Sequence, residues 1–188
     1  MTAACVVGRT VFQFIPNVQP ITTIFILVSL KKGFLRSFLI VLLTIITTNI
    51  YMGMGPWTLT QIFAYSVIII LSCGLSRIPW FDQHKLPQLA FALVTGYLFG
   101  FLTACGDTLL YGITAFWPYY LQGIYFDSLH GLGNLLFYAL LSPIVPRLFL
   151  RFWPNEWKFN NYMKIELDAS RDASVFFAFN YRSKRYDK

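Results

Sequence analysis

Residues 34–52 read FLRSFLIVLLTIITTNIYM, nineteen residues with a single charge, Arg36, at the start. An α-helix rises about 1.5 Å per residue, so a run of this length reaches across the hydrocarbon core of a bilayer, roughly 30 Å thick. On either side the same pattern recurs. Further apolar segments run from Met1 to Pro16, Pro20 to Leu30, Trp57 to Ser76, Leu86 to Gly112 and Ser128 to Phe152. The first two are short, and Lys31 and Lys32 lengthen the second by snorkelling. The first has no basic n-region and no small-residue cleavage site, so it does not read as a signal peptide. The composition agrees: of 188 residues 56% are hydrophobic and only 12% charged, about half the charge of a soluble domain. The expected fold is an all-α membrane protein of six transmembrane helices in one domain, residues 1–153. A polar tail, residues 154–188, follows, with a short alternating piece at 174–181.

Charge placement gives the orientation. Lys31, Lys32 and Arg36 lie between segments two and three, Arg77 and Lys85 between four and five, and Arg147, Arg151 and Lys158 after six. The other three connections, Asn17–Gln19, Gly53–Pro56 and Ile113–Asp127, contain no Lys or Arg. The positive-inside rule then puts the basic connections, both termini and the tail in the cytoplasm, and the three uncharged loops outside. The net charge of +7 is spread over these cytoplasmic positions, where it meets anionic headgroups, and forms no nucleic-acid stripe.

The uncharged loops carry the candidate site. Pro16 and Pro20 bracket Asn17 and Gln19 in a stiff turn. Around the second loop, Asn49 and Met52 precede Gly53 and Gly55, and Pro56 opens the next helix at Trp57. Trp57 is read equally as an interface anchor or a stacking wall. Seven aromatic residues fall between Tyr111 and Phe126, among them Trp117, Tyr120 and Tyr125, more than anchoring requires. Asp107, inside an apolar run, is costly unless hydrated, paired or used. Asp127, His130 and Asn134 follow at helical spacing and share one face, with Asp127 also a natural N-cap.

Other chemistry is missing. No GxxxxGK[ST], HExxH or GxSxG occurs, so the chain carries no P-loop ATPase or familiar hydrolase signature. Two histidines, His84 and His130, far apart and expected on opposite sides, argue against a protein-built metal centre. Cys5, Cys73 and Cys105 are scattered through apolar segments and read as packing residues rather than disulfides. Ala4 and Gly8 place small residues four apart on the first helix, a surface another helix can approach closely. Gly96, Gly100 and Ala104 repeat the device on the fifth, where it reads as internal packing.

Three stretches carry a resemblance: FIPNVQPITT at 14–23, GMGPWTLTQ at 53–61 and DSLHGLGN at 127–134. With the six-segment pattern, they are similar to the substrate-binding S components of energy-coupling factor (ECF) vitamin importers. The likeness covers residues 1–153. It implies a non-enzymatic binding subunit of the bacterial plasma membrane, without a cofactor of its own. Such a subunit captures a vitamin beneath the three outer loops. It then topples in the membrane to deliver it, docking through its first helix on a transmembrane coupling subunit with two ATPases. The family's Ala-x-x-x-Ala motif falls on Ala4 and Gly8, the second position departing to glycine. The aromatic third loop points to a bulky ligand, cobalamin first, with pantothenate or another small vitamin precursor as the alternative. Two other classes stay open. A self-sufficient secondary transporter needs a polar path, for which Thr44, Thr47, Thr95 and Thr103 are thin material. A membrane enzyme would have Asp127 and His130 as its only candidate pair.

Overall fold

Glycine and proline punctuate the chain where its helices break. In the computed structural model of the chain, residues 1–145, 147 and 148 are described, and among them every regular element is helical. These are α1 (Thr2–Val11), α2 (Ile21–Lys32), α3 (Phe34–Met52), α4 (Trp57–Leu75), α5 (Pro79–Gln83), α6 (Lys85–Tyr111) and α7 (Phe116–Leu141). Gly53, at φ 118°, and Gly112, at φ 65°, end α3 and α6 in backbone conformations that a side chain would strain. Pro56 caps α4, its fixed φ already suited to a helix start. The expected tail, residues 154–188, lies outside the described residues.

Three helices, α3, α4 and α6, are long and apolar enough to cross a membrane, with 19, 19 and 27 residues. This makes the chain a multi-pass membrane protein by length and composition. At 26 residues α7 is also long enough, but it carries Gln122, Asp127, His130 and Asn134 and is not among the three. Ten-residue α1 and twelve-residue α2 are about 15 and 18 Å long, well short of a bilayer core.

The shortness of α2 goes with its place. Every residue from Ile21 to Leu30 is buried, because α2 packs against α1, α3, α4, α6 and α7. A helix apolar on all sides belongs inside a bundle, and ITTIFILVSL (21–30) has no polar face. Tyr65 of α4 meets Phe25 edge-on at 5.0 Å.

The most extensive pairing joins α6 to α7. At its crossing the backbones touch: a Cβ on Gly96 would overlap Gly131, and one on Gly131 would press on the Leu93 carbonyl. Gly96 therefore packs internally, as its spacing predicts, whereas Gly100 and Ala104 line the cleft described below. Small residues allow this approach inside lipid, where packing rather than water exclusion drives helix association.

The structure corrects several boundaries: α1 stops at Val11 rather than Pro16, α7 stops at Leu141 rather than Phe152, and α5 adds a short helix between the fourth and fifth segments. Residues 113–127, expected as a connection, are helical from Phe116 onward. Pro118 does not prevent this, since it falls in the first turn of α7, where its missing N–H has no helical acceptor. The connection shrinks to 112–115, and Asp127 is not an N-cap but a mid-helix residue.

Candidate functional site

The helices define two ends. One holds the connections 12–20, 53–56 and 112–115. The other holds Lys31 and α5, where the Lys31 ammonium lies 2.9 Å from Asp82. At the uncharged end a cleft of about 580 Å³ opens between α6, α7 and the turn at Pro16 and Asn17. Gly100, Thr103, Ala104 and Asp107 line it from α6, and Tyr119, Tyr120, Gln122, Gly123, Phe126 and Asp127 from α7.

The turn is shaped for this position. Asn17 takes a left-handed conformation, φ 59°, which Asn tolerates better than most side chains. Its Nδ2 donates to the Phe126 carbonyl at 3.4 Å, and Val18 lies against Gly133. The first connection is thereby seated on α7.

Asp127 is 6% exposed, and its Oδ2 has no hydrogen-bond donor. It lies opposite Gly100, where any Cβ would collide with the carboxylate. Asp107 accepts a 3.0 Å bond from the Tyr119 hydroxyl on Oδ2, while its buried Oδ1 has no donor. Tyr120 stacks parallel to Phe116 at 6.0 Å and meets Phe101 edge-on at 5.6 Å. A buried ionisable group without a partner costs stability and is retained where something else needs it.

Beneath Asp127 the polar face of α7 continues inward. The His130 Nε2 lies 2.9 Å from the Thr22 hydroxyl, its Nδ1 has no partner, and Phe99 packs edge-on at 5.1 Å. One turn on, the Asn134 carbonyl accepts from Thr23 at 3.1 Å, and its Nδ2 reaches Thr95 at 3.4 Å. At the far end the Tyr138 hydroxyl donates to Gln88 at 2.9 Å. Asp127, His130, Asn134 and Tyr138 thus form a file of polar side chains along one face of α7.

The other sequence-selected residues divide. Asn17, Asp107, Tyr120 and Asp127 line the cleft, whereas His130 and Asn134 are buried outside its lining. Asn49 is committed elsewhere: its Nδ2 donates to Thr58 at 2.9 Å and Gln61 at 3.0 Å, tying α3 to α4. Gln19, Met52 and Trp57 do not line the cleft, and the Trp57 ring covers Gly55. Tyr111, Trp117 and Tyr125 are exposed and also lie outside the lining. On α1, Ala4 is exposed, whereas Gly8 is half-buried and faces inward, where a Cβ would strike Pro20.

Two features escaped the sequence reading. Gly100 reads as a packing glycine, and only the register of α6 against α7 sets it over a carboxylate. Arg9, within the first apolar segment, is 9% exposed and donates to the Thr48 hydroxyl. An ionisable residue in an apolar run is the signal that could have found it.

Comparison of the chain with family models, curated proteins and solved structures gave no match.

Proposed function

We propose that the chain is a substrate-capturing subunit of a membrane importer, of the S-component type, receiving a vitamin-sized ligand in the cleft at the uncharged end. The observation that carries this is the cleft itself: a concave, aromatic-walled space with a buried carboxylate, Asp127, whose Oδ2 has no donor. In this reading the chain passes the bilayer six times, with its basic connections and both termini cytoplasmic and the cleft facing outward. The short α1 and α2 fit because α2 is sheathed by other helices rather than by lipid. ATP hydrolysis belongs to partner subunits, reached through a transmembrane coupling subunit.

The cleft volume supports the smaller of the two ligand classes. About 580 Å³ sits mid-range among pockets for drug-sized molecules. Cobalamin, a corrin macrocycle with a nucleotide tail, would protrude far beyond it.

Titrating the purified chain alone with a vitamin panel by calorimetry tests capture, and tight binding of one member is expected. Docking is tested by Ala4→Trp on the exposed face of α1: uptake in cells is lost while binding to the purified chain stays intact. Gly8 is unsuited to this test, since enlarging it would displace Pro20 and the turn over the cleft. Uptake that survives Ala4→Trp removes α1 as the docking helix.

The polar file along α7 favours a second reading, a self-sufficient secondary transporter that moves protons through Asp127 and His130, with Asn134 as a hydrogen-bonding neighbour. Proteoliposomes containing only this chain separate the two. Uptake driven by a pH gradient without partner subunits would establish the second reading, and its absence would remove it.

A further inference from the structure

The charge of the cleft bears on what it holds. Two carboxylates, Asp107 and Asp127, face it, and no Lys, Arg or His is among its lining residues. Each carries an oxygen that is buried and has no donor, Asp107 Oδ1 and Asp127 Oδ2. Asp127 is itself only 6% exposed, so water does little to solvate it. A carboxylate in that position is stabilised most by a cation that enters and pairs with it. The buried arginine at this end, Arg9, is engaged with Thr48 on α3 and does not reach the lining.

The walls select among cations. Tyr120 and Phe126 line the same space, and aromatic faces attract organic cations through the ring quadrupole. Tyr120 is held in place by Phe116 and Phe101, so its ring costs little to order. Gly100 makes room for the Asp127 carboxylate itself, which lies where the Cβ of any other residue would be.

Resting on the reading of this cleft as the capture site, the geometry points to a small organic cation as the ligand: a quaternary or ring nitrogen at the Asp127 carboxylate, against the rings of Tyr120 and Phe126, with Asp107 a second negative charge in the same cleft. A neutral vitamin would leave the charge of both carboxylates uncompensated, and an anion such as pantothenate would meet repulsion.

The test titrates the purified full chain with five probes: thiamine and choline as cations, riboflavin as a flat neutral molecule, pantothenate as an anion, and cyanocobalamin. At least one cation is expected to bind, and Asp127→Asn to weaken it by roughly a hundredfold, the scale of losing one partner of a desolvated charge pair. Asp107→Asn is expected to cost less, because Tyr119 shares that carboxylate. Gly100→Ala, which keeps the charge but displaces it, also weakens the cation. If riboflavin, pantothenate or cyanocobalamin binds tightly and no cation does, the cation assignment is overturned while the capture reading survives. If none of the five binds, both fall. Cation binding that Asp127→Asn leaves unchanged also overturns the assignment. Should Asp127→Asn not yield folded protein by gel filtration, Asp107→Asn and Gly100→Ala decide: weaker binding upholds it and unchanged binding overturns it.

Discussion

The two ends of the helix bundle treat their polar groups in opposite ways. At the basic end, Gln88 spends both ends of its amide: Nε2 donates to the carbonyls of Phe81 at 2.8 Å and Asp82 at 3.1 Å, and Oε1 accepts from Tyr138 at 2.9 Å. Asp82 also receives the Lys31 ammonium at 2.9 Å. At the uncharged end, Asp107, Asp127 and His130 each leave a buried polar atom without a partner. One end engages these polar groups in hydrogen bonds and an ion pair, and the other leaves several buried polar atoms without a donor or acceptor. Stability and binding should therefore respond to opposite sets of substitutions.

The contrast depends on the α6–α7 crossing that carries both ends. Gly96→Leu, which forces a side chain into the backbone of Gly131, should destabilise the bundle by about 3 kcal/mol or more. Loss of a monodisperse peak on gel filtration would show it, and a normal melting transition would contradict the crossing. Next comes Gln88→Ala, which strands the Tyr138 hydroxyl and two carbonyls and should cost about 2–3 kcal/mol. Melting in detergent should fall while ligand affinity stays constant, and a matching fall in affinity would mean the two ends are coupled. Asp127→Asn should do the reverse, holding or raising stability by about 1 kcal/mol as a lone buried charge is removed. A lowered melting temperature would show that Asp127 has a structural partner after all. Tyr138→Phe, losing one hydrogen bond, should cost about 1 kcal/mol. The smallest effect belongs to Lys31→Met. Its ion pair is partly exposed, at 31% and 16% of the two side chains, so at most about 1 kcal/mol, weakened by salt, is expected.

Much of this architecture was legible in the sequence, for particular reasons. The observed bounds of α3, α4 and α6 match the apolar runs to within a residue, because Gly33, Gly53, Pro56 and Gly112 punctuate those runs chemically. The start of α7 was missed by twelve residues. Aromatic rings mixed with Gln122 and Asp127 lower the hydropathy without interrupting a helix, and Pro118 looks like a breaker although its position in the first turn is harmless. At the site, the spacing of Asp127, His130 and Asn134 correctly put them on one face. What spacing could not show was where that face points. Only inter-helix register brings Asp127 to Gly100, sends His130 to Thr22 and leaves Tyr111, Trp117 and Tyr125 exposed. Asn49 illustrates the converse, an amide whose surroundings suggest ligand binding until its donors are traced to Thr58 and Gln61.

The enclosure of α2 bears on how the protein is made. Its Thr22 and Thr23 hydroxyls find His130 and the Asn134 carbonyl, groups that a ribosome delivers more than a hundred residues later. Until α7 arrives, this twelve-residue helix has its earlier neighbours but not the partners of its two threonines. The polar contacts of α2 are therefore completed only when α7 closes over it. A chain that stalls or loses α7 keeps the packing of α2 on α1, α3, α4 and α6 but leaves these two buried hydroxyls without their partners, a polar defect inside an apolar bundle.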